Sequence, residues 1–250
     1  MSILQSKISP LLRDKIEEAV RRDREPLALL DVDLTLIDNA PRNRAILAAW
    51  LHGVRDRWEG AERAMVQALT MPIVFGVGEN LSTLGVEDEE LRADALTFWF
   101  RAFFSGPYCR HDTPLPGAVD AVALLRDAGV TVAYVTARPA RMVSHTVTSF
   151  QEMGFPVGVP GTILVTKPDT DITDDAHKKA TCEWLNRVGL PVLCADNEPG
   201  HVNLMVGLCP HARCVLVETR HSASAPPRVP GTWRAPSLLS AVTSDALVST

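Results

Sequence analysis

The stretch Leu27-Ala28-Leu29-Leu30-Asp31-Val32-Asp33-Leu34-Thr35-Leu36 decides the fold. Four apolar residues run straight into a carboxylate, and a second carboxylate follows two places later. A short continuous apolar run of this kind reads as a strand buried on both faces. Side chains on a strand alternate with period two, so Asp31 and Asp33 are expected on one side at its carboxyl end. In open α/β sheets that end is where ligands bind. Paired acids there can share a metal ion or divide nucleophile and acid/base duties. A strand running into an acidic turn is the plainer alternative, since Asp favours turns. The rest of the chain weighs between the two.

Upstream, Ser9-Pro10 marks a helix start, with Ser9 as N-cap and Pro10 at the first helical position. Leu12, Ile16, Ala19 and Val20 give it one apolar stripe, and Pro26 stops the run. Downstream, after Pro114-Leu115-Pro116-Gly117, helices and strands alternate. Ala118 to Leu125 is amphipathic and closes at Gly129. Val130 to Val135 is a strand ending in Thr136-Ala137-Arg138-Pro139, followed by a helix to about Met153. Thr162 to Thr166 is a short strand. Asp174 to Val188 is a helix capped by Gly189. Val192 to Ala195 is a strand ending at Asp196. A short helix through Val202 and Met205 leads to Val215-Leu216-Val217-Glu218, read as the last strand. This alternation predicts a Rossmann-like α/β fold, a parallel sheet with helices on both faces. The Pro-, Ser- and Ala-rich tail from Ser222 shows no periodicity and is expected to wrap the core or stay mobile.

Between these two parts the rhythm is helical throughout. Ile46, Leu47, Trp50 and Leu51 sit at helical spacing, as do Ala64, Met65, Ala68 and Leu69. Glu87 to Phe104 reads as a third helix, with Leu91, Ala95, Phe98 and Trp99 on one face. Residues 39–111 are therefore read as an all-helical insertion, and residues 1–38 and 112–250 as the α/β core. Phe98-Trp99-Phe100 and Phe103-Phe104 are taken as the buried side of the insertion, with a substrate- or subunit-facing surface as the alternative. Gly76 and Gly78 lack a third glycine and a flanking strand, so they read as a mobile loop rather than a phosphate loop.

Composition narrows the function classes. The 250 residues carry a net charge of −5 with both signs scattered, which argues against a nucleic-acid surface. No run of about 18 apolar residues is present, so no membrane span is expected. Met1 to Pro10 lacks the apolar core of a signal peptide. The five cysteines form no CxxC pair, and the seven histidines no HExxH spacing, so zinc is not expected. Reduced thiols point to the cytoplasm.

Three predicted strands thus finish on Asp31/Asp33, Thr136 and Asp196, and lysines follow soon after a fourth. In a parallel sheet these ends share one edge. The set Asp31-Val32-Asp33-Leu34-Thr35-Leu36, Val135-Thr136-Ala137-Arg138, Asp174-Asp175-Ala176-His177-Lys178 and Asp196-Asn197-Glu198-Pro199 resembles the four ordered motifs of the haloacid dehalogenase (HAD) superfamily. The resemblance spans about Leu27 to Glu218. Its first motif is specific, the second moderately so, and the last two are loose. The helical insertion sits where many members carry a cap over the active site.

The resemblance implies a Mg²⁺-dependent phosphatase acting on a small phosphorylated metabolite. Asp31 would attack phosphorus and form an aspartyl-phosphate. Asp33 would protonate the leaving oxygen and then activate water. Thr136 would hydrogen-bond a phosphoryl oxygen, and a lysine would neutralise charge on that group. Mg²⁺ would be held by Asp31, the Asp33 backbone carbonyl and Asp196. For the lysine, Lys178 ranks first because it shares a stripe with Thr181, Cys182 and Leu185; Lys167, before Pro168, ranks second and Lys179 third. Arg138 is read as a substrate-binding residue or a surface ion pair, and His177 and His201 as structural. The fourth motif departs from the common pattern: Pro199 and Gly200 stand where many members have a second acid, leaving Glu198 or Asn197 to serve. A phosphotransferase or phosphomutase, and a non-catalytic binding or regulatory protein, are the alternatives. Asp33 argues against dehalogenation, which has no leaving oxygen to protonate. Oligomeric state is not legible.

Overall fold

The computed structural model describes residues 7–249. The stretch expected to lack a leader therefore falls, for residues 1–6, outside the described residues. The first helix, α1 (Pro10–Arg21), begins as expected: the Ser9 hydroxyl accepts the Leu12 N–H and Pro10 occupies the first turn. It ends before Pro26, which opens β1 (Pro26–Asp31).

A parallel sheet forms around β1. Its expected partners are β4 (Thr131–Pro139), β5 (Thr162–Lys167), β6 (Leu190–Asp196) and β7 (Arg213–Val217). The sheet has two strands beyond those the sequence pattern predicts: β8 (Thr232–Ala235), parallel to β7, and β9 (Val248–Ser249), antiparallel to β8. The order is β5-β4-β1-β6-β7-β8-β9. Val217 therefore does not end the sheet, and the tail is part of it. Helix α10 (Leu238–Thr243) lies in the tail, and Arg213 ties it down by donating to the Ser244 carbonyl at 2.9 Å.

The period-two alternation of the strands sorts the core into two layers. Ala28 and Leu30 of β1, Val132 and Tyr134 of β4, and Val215 and Val217 of β7 face one cluster. That cluster also takes α1, α6 (Ala118–Asp127), Phe150 of α7 (Val143–Glu152) and α10. Leu27, Leu29, Ala133, Val135, Cys214 and Leu216 face the other layer, with α8 (Asp174–Val188) and α9 (Pro199–Leu208). Asp31 continues the Leu27–Leu29 face and so points toward α8. β1 lies between β4, which leads outward to β5, and β6, which leads the other way. This is the switch point at which an α/β sheet opens a crevice beyond its strand ends.

The insertion leaves and re-enters through a two-stranded ribbon, β2 (Ile37–Asp38) against β3 (Thr113–Pro114). Between them lie α2 (Ala40–Gly53), α3 (Ala61–Thr70), α4 (Val77–Thr83), α5 (Glu89–Phe103) and a 3-10 turn (Pro107–His111). These helices have their own core, with Leu47, Trp50, Leu51, Ala64, Ala68 and Leu81 at its centre. Gly76 and Gly78 are not a mobile loop: Gly76 caps α4 and Gly78 lies within it. Asn80 holds the turn before α4 through both the N–H and the carbonyl of Val74, at 3.0 Å each. Among the described residues no helix is long and apolar enough to cross a membrane.

Candidate active site

At the carboxyl end of β1 the chain turns sharply. The N–H groups of Leu36 and Ile37 both return to the Val32 carbonyl, and Leu34 sits at φ +66°. A branched residue in the left-handed region costs roughly 1–2 kcal/mol, which the surrounding hydrogen bonds must offset. The turn folds Thr35 back so that its hydroxyl donates to Asp31 Oδ2 at 3.1 Å. Sequence reasoning gave Thr35 no role; the turn that aims it is not visible in residue types.

Lys178 is the lysine that reaches the acids. Thr173 caps α8, and the buried stripe Lys178, Thr181, Cys182 and Leu185 faces the sheet. The Lys178 ammonium donates to Asp31 Oδ1 at 2.7 Å and to Asp196 Oδ2 in a shorter contact. Lys167 instead pairs with Asp174 at 2.6 Å, and Lys179 is exposed. Two carboxylates thus share one cation. Burial pushes Asp31 up to about 7 despite Lys178, and the neighbouring Asp196 and Asp33 add to the rise. Burial would also raise Asp196, but Lys178 and His201 hold it down, to about 2. Lys178 is raised above its ordinary value: burial opposes its charge, and the two carboxylates outweigh burial.

Asp33 sits in a different environment. It belongs to a buried four-membered ring with Arg42 of α2, Asp112 before β3 and Arg138 of β4. Arg138 grips Asp33 with two nitrogens, at 2.8 and 3.1 Å, and reaches Asp112 at 2.8 Å. Arg42 meets Asp33 in a short contact and Asp112 at 3.0 Å, with its guanidinium 4.0 Å over the Phe103 ring. Burial alone would raise Asp33, yet Arg138 and Arg42 hold it well below the usual carboxylate range. Deeper in the ring, burial wins at Asp112, which is raised in spite of both guanidiniums.

Arg138 is accordingly neither a surface ion pair nor free to bind a substrate. Its third nitrogen meets Thr146 Oγ1 at 3.3 Å and Cys109 Sγ at 3.5 Å, so the whole guanidinium is committed. The Thr136 hydroxyl stands at the adjoining strand end, accepting the Arg138 N–H at 3.2 Å. His201, expected to be structural, lies in the wall of the site. Its Nδ1 is 3.4 Å from Asp196 Oδ1 and its Nε2 is 3.3 Å from Asp175. Both candidates for the second acid line the cavity, and the Asn197 Oδ1 accepts from the Thr35 hydroxyl at 3.4 Å. Glu198 accepts the Ser222 N–H at 2.9 Å, and Asn197 donates to the Arg220 carbonyl at 2.6 Å.

The strand-end acids, Thr136, Arg138, Lys178 and His201 border one cavity of about 230 Å³. Asp31, Asp33, Thr136, Lys178, Asp196 and His201 form its floor. Trp99, Phe103 and Phe104 of α5, with Val74 and Phe75, form its roof. Trp99, Phe103 and Phe104 therefore face the site, while Phe98 packs against the insertion's core as the buried reading expects and Phe100 is 48% exposed.

Among the described residues no three His, Cys, Asp or Glu side chains converge to hold a metal by themselves. Asp31 and Asp196 supply two hard oxygen donors at adjoining strand ends. That fits a small cation that keeps several waters and also meets a substrate phosphate.

No protein-family model matches the sequence, and no curated protein matches it. Solved structures do. A candidate phosphatase from Clostridium difficile superposes with a TM-score of 0.54 at 11% identity, over 81% of this chain and 89% of that one. A predicted phosphatase from Clostridium acetobutylicum gives 0.46 at 14%, over 78% and 85%. A haloacid dehalogenase-like hydrolase from Burkholderia xenovorans gives 0.45 at 13%, over 89% and 97%. With its strand order, its switch-point crevice and the superposition that exceeds one half, the chain shares the Rossmann-like α/β fold of the Clostridium difficile structure.

Proposed function

We propose that this protein is a Mg²⁺-dependent phosphomonoester hydrolase that works through an aspartyl-phosphate on Asp31. One observation carries the reading: the Lys178 ammonium joins Asp31 and Asp196 at the ends of β1 and β6, beside the Thr136 hydroxyl in one cavity. Residues 39–111 act as the cap, and residues 1–38 and 112–250 as the core.

Asp31 Oδ attacks phosphorus, and the P–O bond to the leaving alcohol breaks. Thr35 orients the attacking carboxylate by its hydrogen bond to Oδ2. Lys178 and the Thr136 hydroxyl bind the phosphoryl oxygens, where negative charge must be neutralised as the bond shifts. Mg²⁺, held by Asp31, Asp196 and the Asp33 carbonyl, supplies further charge neutralisation when bound. Asp33 gives its proton to the leaving oxygen and takes one from the water that attacks the acyl-phosphate. The two arginines favour the ionised form, which suits the second step and opposes the first.

The test is phosphate release from p-nitrophenyl phosphate with and without Mg²⁺. Wild type should turn over only with the cation, and Asp31→Asn should release nothing above background. Full activity in Asp31→Asn would reject the nucleophile, and full activity after chelation would reject the metal.

A further inference from the structure

The roof of the cavity differs from its floor. Trp99 and Phe103 stack with centroids 4.6 Å apart, and Phe104 meets them edge-on at 6.3 and 5.1 Å. Trp99 and Phe104 are half-buried, and Val74 and Phe75 at the rim are 40% and 47% exposed. An aromatic surface left open beside a reacting centre is a place for an apolar group to lose its water.

The polar groups at that end are already used. Asn43 accepts the Trp99 indole N–H at 2.7 Å and donates to the Asn39 carbonyl at 2.9 Å. Asn39 donates to Asp33 at 3.2 Å. Arg42 and Arg138 are spent on Asp33 and Asp112. Arg220, bordering the same cavity, donates to the Ile73 carbonyl at 2.8 Å and to Asp38 at 2.5 Å. Of the lining cations, Lys178 and His201 stand at the phosphoryl end, against Asp31 and Asp196. Among the described residues the aromatic end thus offers no uncommitted charge to a carboxylate, an amine or a second phosphate. A sugar hydroxyl entering there would leave water without gaining a partner.

Resting on the hydrolase reading above, we infer that the leaving group is an uncharged, ring-bearing apolar alcohol: the substrates are phosphomonoesters of arylalkyl-type alcohols rather than sugar phosphates, phosphorylated acids or nucleotides. Trp99 and Phe104 are the specificity-determining residues. A hydrophobic site rejects one added hydroxyl by up to ~100-fold. Several hydroxyls without partners set a preference of at least about tenfold.

The experiment compares 2-phenylethyl phosphate with glucose 6-phosphate. Both leave as primary alcohols, so intrinsic reactivity is matched. The inference expects kcat/KM at least about tenfold higher for the phenylethyl ester, and equal values or a preference for the sugar overturn it. Trp99→Ala should bring the ratio toward one, mainly through KM. Phe104→Leu serves as the second variant should the first not fold, and an unchanged ratio in the variant that folds overturns the assignment. Calorimetric binding of both esters to Asp31→Asn reads the preference without turnover. Should wild type hydrolyse neither ester nor p-nitrophenyl phosphate, the hydrolase reading fails; tighter phenylethyl binding would still support the pocket's preference, and equal binding would overturn it.

Discussion

Arg138→Met separates a buried structural ion pair from a substrate-binding arginine. Methionine keeps much of the volume and removes the charge. The side chain is 1% exposed and meets Asp33 at 2.8 Å and Asp112 at 2.8 Å. Its loss leaves the fully buried Asp112 and the half-buried Asp33 with Arg42 as their one remaining cation. Breaking a buried pair by removing one partner costs about 3–5 kcal/mol. For a chain of this size each kcal/mol moves the melting point by about 2–4 °C, so the expected fall is roughly 6–20 °C. The comparison is Arg141→Met, which removes an exposed pair to Asp169 at 3.3 Å. Exposed pairs contribute about 0–1 kcal/mol. Calorimetric or fluorescence melts of the two variants decide the matter. A melting point for Arg138→Met close to that of Arg141→Met, with only a raised KM, would refute the ring as a structural joint and return Arg138 to the substrate.

Mg²⁺ at one hundred times its dissociation constant should stabilise wild type by about 2.7 kcal/mol, because the folded state alone holds the site. Asp196→Asn should lose that stabilisation in the same melt. Gly189→Ala should be destabilising by about 1–3 kcal/mol in urea, since an added Cβ would stand 2.4 Å from the Glu25 carbonyl oxygen. Thr35→Val should lower kcat more than it raises KM, because its hydroxyl touches Asp31 and leaves the cavity roof unchanged; steady-state kinetics on p-nitrophenyl phosphate measure the split.

What the sequence made legible follows from how locally each feature is encoded. Leu27–Leu30 and Val132–Val135 are buried on both faces, so apolar runs alone located the central strands. Asp31, Thr136 and Asp196 are strand-end residues, so their convergence followed once the sheet was parallel. Lys178 shares a helical stripe with Thr181, Cys182 and Leu185, so spacing alone turns it toward the sheet. β8 escaped because Thr232-Trp233-Arg234-Ala235 is too short to show alternation inside a Pro- and Ser-rich tail. α4 escaped because seven residues containing Gly78 carry little helical signal. The direction of Trp99 depends on how α5 packs against α2, which no local pattern encodes. The ring of Asp33, Arg42, Asp112 and Arg138 joins residues up to 105 positions apart, and nothing in their spacing announces it.

The most direct test of the central claim is to label the protein with a phosphomonoester bearing radioactive phosphorus, quench in acid during turnover, and map the label. The account predicts a hydroxylamine-labile acyl-phosphate on the peptide containing Asp31, absent from Asp31→Asn. Turnover without a labelled peptide, or a label on any other residue, would contradict it.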